Sequence, residues 1–176
     1  SDSNGVIMNI QWKDIFPFGG SANIGSIQSF NAEINHTNVL GLGDKIQINA
    51  LYDLDRRPLA ATGFEYIKRN FLGSFLNLTI GIDKIKPTFN SGRREEYARY
   101  IKGDLPLVSP YHSFTGGFEF GTYEANKTYN TRANYDHMYK YAYGIMDGWM
   151  GINIGAGLRV KDNLQTRLRK FISFRA

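Results

Sequence analysis

The chain of 176 residues has no cysteine, so neither a disulfide framework nor a thiolate metal site can form. It has no apolar run approaching the roughly 20 residues of a membrane-spanning helix, and its mean hydropathy is -0.36. Its three histidines, His36, His112 and His137, are scattered without the spacing of a metal pair. There are only five prolines, at 17, 58, 87, 106 and 110. The first residues show no basic segment followed by an apolar core, so an envelope protein would be seen here in mature or trimmed form.

Catalytic motifs are missing too. No Gly-x-Ser-x-Gly elbow occurs. Gly155-Ala156-Gly157 lies in an alternating run with no helix after it, so it is not a dinucleotide fingerprint. Gly19-Gly20-Ser21 lacks the lysine and helix of a phosphate loop and reads as a hairpin tip. Glu95, Glu96 and Asp147 have no evident acid/base partner, and the Asn-x-Thr triplets at Asn35, Asn77 and Asn126 read as chance matches. The expectation is a protein that is not an enzyme, with no catalytic residue, metal or cofactor.

What is present is alternation. Ile46, Ile48, Ala50 and Tyr52 fall on one face of a run, against Lys45, Gln47, Asn49 and Asp53, with Leu51 the exception. Leu76, Leu78, Ile80 and Ile82 repeat the pattern against Asn77, Thr79, Gly81 and Asp83. Met150, Ile152, Ile154, Ala156, Leu158 and Val160 repeat it against Gly151, Asn153, Gly155, Gly157 and Arg159. Period two over eight or more residues means a sheet with one apolar and one polar face. An apolar face opposite one rich in Gly, Asn and Gln suits a transmembrane β-barrel, apolar towards lipid and polar towards the lumen. Barrel strands evade hydropathy scans because every second residue is polar. The 19 glycines and the 14% aromatic content fit the same architecture.

The net charge is +5, with basic clusters at Arg56-Arg57, Lys68-Arg69, Arg93-Arg94 and Arg167 to Lys170. These fall at expected turns and strand ends, in headgroup or aqueous zones, rather than on one contiguous face. Nucleic acid is therefore not an expected partner.

The alternation predicts eight strands and the start of a ninth. They run over Gly5 to Lys13, Ile27 to His36, Lys45 to Leu54, Ala60 to Lys68, Ser74 to Asp83, Glu96 to Asp104, Ser113 to Tyr123 and Trp149 to Val160, then from Arg167 to Phe174. All five prolines avoid the strand interiors, as a residue without an N–H should. Long polar connections are expected at Lys84 to Glu95 and Glu124 to Gly148, with short turns at the opposite end. That asymmetry is typical of outer-membrane barrels. Trp149, Tyr141 and Tyr143 are candidates for an interfacial aromatic girdle, or else pack elsewhere in the barrel.

Several segments in succession resemble one family. Asn38-Val39-Leu40-Gly41-Leu42-Gly43 resembles its Asn-x-x-Gly-x-Gly turn between the second and third barrel strands. Phe64-Glu65-Tyr66 leads into Asn70-Phe71-Leu72-Gly73, and Asp104-Leu105-Pro106-Leu107 precedes Phe114-Thr115-Gly116-Gly117, in the order the family shows. The chain is similar to the N-terminal half of the barrel of BamA-like outer-membrane assembly and translocation proteins, a superfamily that includes two-partner secretion transporters. The resemblance implies an all-β antiparallel meander, half of a barrel of about 16 strands. The family's POTRA domains and the C-terminal half of its barrel, with a Val-Arg-Gly-Phe-like loop motif, are not in these 176 residues.

The resemblance further implies a bacterial outer-membrane location and a lateral seam between first and last barrel strands. Outer-membrane proteins would be inserted, or polypeptides translocated, at that seam. The seam strand would carry Val6, Met8, Ile10 and Trp12 on one face and Asn9 and Gln11 on the other. An opened seam is a sheet edge that templates a client strand through backbone hydrogen bonds. Asn38, Gly41, Gly43, Asn70 and Gly73 would be structural turn residues. Implied partners are outer-membrane lipids, client outer-membrane or secreted polypeptides, accessory lipoproteins and the remaining barrel half. The alternatives are a complete eight-stranded structural or adhesion barrel, and a soluble lipocalin-like ligand-binding barrel.

Overall fold

The computed structural model describes residues 16–89, 91–108, 112–129, 140–154 and 171–176. Their strands are β1 (Phe18–Ser26), β2 (Ser29–Val39), β3 (Asp44–Asp53), β4 (Ala60–Lys68), β5 (Asn77–Pro87), β6 (Arg94–Leu105), β7 (Phe114–Ala125), β8 (Tyr141–Asn153) and β9 (Phe171–Arg175). Each pairs antiparallel with its sequence neighbours, giving one nine-stranded meander in the order β1 to β9. Among the described residues the structure is all-β and the sheet is not closed.

The register carries the alternation across the whole sheet. His36, Ile46, Tyr66, Ile80, Ile101, Phe120 and Met146 lie opposite one another from β2 to β8, forming one row of the apolar face. Asn35, Gln47, Glu65, Gly81, Tyr100 and Gly121 form the matching row of the other face. The apolar face is the uncovered one: Ile34 is 65% exposed and Met146 82%. The polar face is sheltered by its own side chains. There Tyr100 donates to Glu65 (2.8 Å), Lys102 pairs with Glu119 (3.1 Å), and Arg175 forks onto Asp147 with two contacts of 2.9 Å.

Two small apolar clusters lie on this polar face, one of Leu51, Ala61 and Ile85 and one of Ala98, Tyr100 and Tyr123. Leu51, which breaks the alternation, is therefore a packing residue rather than a misplaced one. Glycines on this face make room for large neighbours. A side chain at Gly81 would meet the Tyr100 ring at 2.3 Å.

Five expectations need correction. Gly19-Gly20-Ser21 is not a hairpin tip: it lies within β1, whose ladder with β2 runs from Phe18↔His36 to Ser26↔Ser29. Backbone pairing needs no side chains, so a glycine-rich strand gives little pattern to read. Strand β8 starts eight residues before Trp149, because β7 pairs with it continuously from Phe114↔Ile152 to Ala125↔Tyr141. Gly144, Asp147 and Gly148 made that stretch read as loop. The expected long connections shrink accordingly, to 88–93 and 126–140.

End-to-end asymmetry is weaker than expected. Apart from 126–140, the connections at that end, 27–28, 54–59 and 88–93, are about as short as 40–43, 69–76 and 106–113 at the opposite end. Finally, Trp149, Tyr141 and Tyr143 share the polar face, since Met150 and Ile152 take the apolar one. Tyr143 donates to Glu96 (2.7 Å) and stacks on Tyr123 with ring centroids 5.1 Å apart. The segments Gly5 to Lys13 and Gly155 to Val160, and the cluster Arg167 to Lys170, lie outside the described residues.

Replacing Gly81 by Ala must displace the Tyr100 ring and break its bond to Glu65. The expected cost is about 1–3 kcal/mol. Gly144→Ala, with its nearest neighbour atom at 3.8 Å, is expected to be nearly neutral. Denaturant midpoints of the two variants, measured in the same detergent, check this.

Candidate functional site

Three features can do something beyond holding the sheet together: the turns at one end, the sheet edges, and the hairpin rim at the other end.

At the β2–β3 turn, Leu40, Gly41 and Gly43 have φ of 52°, 75° and 75°. The left-handed region explains glycine at two of the three. The Asn38 side-chain oxygen accepts the Gly43 N–H at 2.9 Å and closes the turn. At the β4–β5 connection Asn70 is left-handed, at φ 52°, and its carbonyl accepts the Gly73 N–H at 3.0 Å. Asp44 joins the two turns. It is 2% exposed and accepts bonds from Tyr66 Oη (2.8 Å), Lys68 Nζ (2.9 Å) and the Arg69 N–H (3.3 Å). No sequence motif pointed to Asp44; its position directly after the Gly43 turn is the only local signal.

Among the described residues the sheet edges are β1 and β9. All nine residues of β1 are exposed, and glycines at 19, 20 and 25 leave little side-chain packing there. Among the described residues β1 has β2 as its only ladder partner. The expected seam strand, with Val6, Met8, Asn9, Ile10, Gln11 and Trp12, lies outside the described residues. At the far edge, the Asp147–Arg175 pair and two backbone bonds between Gly148 and Ala176 hold β9 to β8.

The hairpin rim holds a feature that sequence reading missed. The β4–β5 ladder stops at Gly63↔Asp83, so Ala60 to Thr62 and the start of the bulged end of β5 are not paired with one another. The Arg56 guanidinium fills this split. It is 4% exposed and donates to the carbonyls of Pro58 (3.0 Å), Ala60 (3.1 Å), Lys84 (3.3 Å) and Arg94 (3.3 Å). One side chain thus does the work of the missing ladder bonds. The segment after β7 reaches back over the rim: Arg56 bridges Tyr129, and the Arg57 N–H donates to the Thr128 carbonyl. Tyr129 Oη donates to Asp53 at 3.1 Å, and Arg93 lies over its ring at 5.2 Å. The Arg56-Arg57 pair reads from sequence as a basic turn, and nothing local foretells its burial.

Burial, and then Asp53, push the Tyr129 hydroxyl up to about 12. An unfolded tyrosine ionises near 10. The clasp should therefore contribute its full stability below pH 10 and lose it as the pH rises from 10 through 12. The unfolding midpoint of the natural chain is expected to fall towards that of Tyr129→Phe over this window, and to differ most from it below pH 10. At the opposite end, Asn38→Ala should cost about 0.5–1.5 kcal/mol through the lost bond to Gly43, with Asn38→Asp losing less, both read from denaturant titrations.

Among the described residues no group of His, Cys, Asp and Glu could hold a metal ion. Compared with protein-family models, curated proteins and solved structures, the chain finds no match, so its function must be argued from this geometry.

Proposed function

We propose that the chain is the N-terminal half of a bacterial outer-membrane β-barrel. Its role is to insert or fold outer-membrane proteins, or to translocate polypeptides, through a lateral seam between first and last barrel strands. Its partners on this reading are lipids, the client polypeptide and the rest of the barrel, and it is not an enzyme.

The carrying observation is the inverted sidedness of the sheet. Large apolar residues such as Ile48, Phe64, Ile80 and Phe120 are exposed, while Glu65 and Glu119 are half-buried on the other face. A soluble lipocalin-like barrel would have the opposite arrangement. In β8 the apolar face from Ala142 to Ile152 contains Gly144, Met146, Gly148 and Met150, without a charge. Ten residue steps cover about 33 Å, and a tilt of about 45° projects this to about 23 Å. That matches an apolar band about 25 Å tall. Of the charges on this face, Asp44, Lys68 and Glu124 lie at strand ends, whereas Lys84 and Arg99 lie further in, beside the split between β4 and β5. Nine strands in a sheet that is unclosed among the described residues favour a portion of a larger barrel over a closed eight-stranded one. The insertion role rests further on the expected seam strand, Gly5 to Lys13, whose backbone groups would pair with an added client strand.

The absence of native cysteine makes the test direct. Single cysteines would replace Asn9 and Gln11, and separately Ser21, in the full-length protein of cells making a client barrel with a cysteine in its terminal strand. Disulfide cross-links to the client at positions 9 and 11 are expected. Efficient membrane insertion of these variants with no cross-link to any client strand would overturn the insertion role. Release of the natural chain from cells without detergent would overturn the membrane reading itself.

A further inference from the structure

Beside the split between β4 and β5 is a recess of about 600 Å³. Its walls come from the apolar face of the sheet (Ala60, Thr62, Lys84, Tyr97 and Arg99) and from the returning segment 126–128. Arg56 and Arg57 line it from the β3–β4 hairpin. Five cationic residues line it in all, Lys127 being the fifth, against one carboxylate, that of Glu95.

The state of these cations sets the recess apart. Elsewhere Lys68 pairs with Asp44, Lys102 with Glu119 and Arg175 with Asp147. Among the described residues, none of Arg56, Arg57, Lys84 and Arg99 is in an ion pair. Arg56 and Arg57 spend their donors on backbone carbonyls. Lys84 and Arg99 rest against the Tyr97 ring, at 5.7 Å and 4.7 Å from its centroid. A buried charge is ordinarily matched by a counter-charge, and among the described residues Arg56 is in no ion pair.

A second, independent observation lies in the same recess. The Thr128 hydroxyl is buried without a hydrogen-bond partner. Buried polar groups are almost always satisfied, so such an orphan calls for a ligand or solvent partner. An anion with several oxygens would supply acceptors both to this hydroxyl and to the unpaired cations.

We infer that this recess binds a phosphate-bearing anion, held by Lys84, Arg99 and the Thr128 hydroxyl in front of the fixed charge of Arg56. Its place at the end of the apolar face, beyond Phe64, Ile82 and Ile101, suits a lipid headgroup whose acyl chains run down that face. Free phosphate offers the same chemistry, and the two sources are separable. The lipid source rests on the membrane reading above; the phosphate site does not.

The test uses the full chain in neutral detergent, and then in phosphatidylcholine nanodiscs doped with phosphatidic acid. Binding is followed by titration with inorganic phosphate and by native mass spectrometry of retained lipid. Saturable binding of one or both probes is expected. It should weaken by about tenfold or more in the Lys84→Gln/Arg99→Gln double variant, from the loss of charge-assisted bonds. Lys68→Gln, outside the recess, should leave it unchanged. Thr128→Val should leave the unliganded chain as stable or more stable, since it removes an orphan, while weakening binding severalfold. A merely structural threonine would not split the two readouts.

If phosphatidic acid binds and phosphate does not compete, the source is a lipid. If phosphate binds alone or competes fully, the site reads the phosphate group whatever the chain's place in a membrane. Absence of binding by both probes, or equal binding by natural chain and double variant, would overturn the site. Failure of the chain to enter nanodiscs while phosphate still binds would count against the membrane reading and leave the site standing.

Discussion

Backbone hydrogen bonding between successive strands is the constraint on which everything else in this molecule depends. Nine strands are joined edge to edge with no second layer of described residues across them. There is no shared core in the usual sense. The buried apolar clusters are small and lie on the polar face. The ladder therefore fixes position, and side chains only decorate its two faces. One face satisfies itself through tyrosine–carboxylate and lysine–carboxylate contacts. The other exposes hydrocarbon, with no described residue packed over it.

Much of this was legible in the sequence, and the reason is physical. Where both faces are marked, as in β3 and β4, alternation gives the strand almost to the residue: Ala60–Lys68 is read correctly at both ends. Where one face is glycine, the signal fades. Gly19, Gly20 and Gly25 hid β1, and Gly144 and Gly148 hid the first half of β8. Parity could have corrected the aromatic residues. Once Met150 and Ile152 are assigned to the apolar face, Trp149 and Tyr143 must take the other.

The turn residues were legible because glycine and asparagine announce left-handed backbone, and Asn38, Gly41, Gly43, Asn70 and Gly73 all sit at such turns. The hairpin rim was not. Arg56 draws its partners from segments far apart in sequence, including Lys84 and Arg94. Two adjacent arginines look like any solvated turn until the ladder beside them is seen to stop. Thr128 is less legible still, because an unsatisfied hydroxyl is defined only by what fails to surround it.

The clasp between Tyr129 and Asp53 joins residues 76 positions apart, whereas each rung of the sheet joins a strand to its immediate neighbour. Strand-by-strand pairing closes short loops, at small entropic cost each time. The clasp closes a long one, and the chain can hold its ends together only after β4 to β7 have shortened the path between them. Rim and recess thus depend on the intervening strands being in place. Occupancy of that pocket therefore reports that the middle of the sheet is complete.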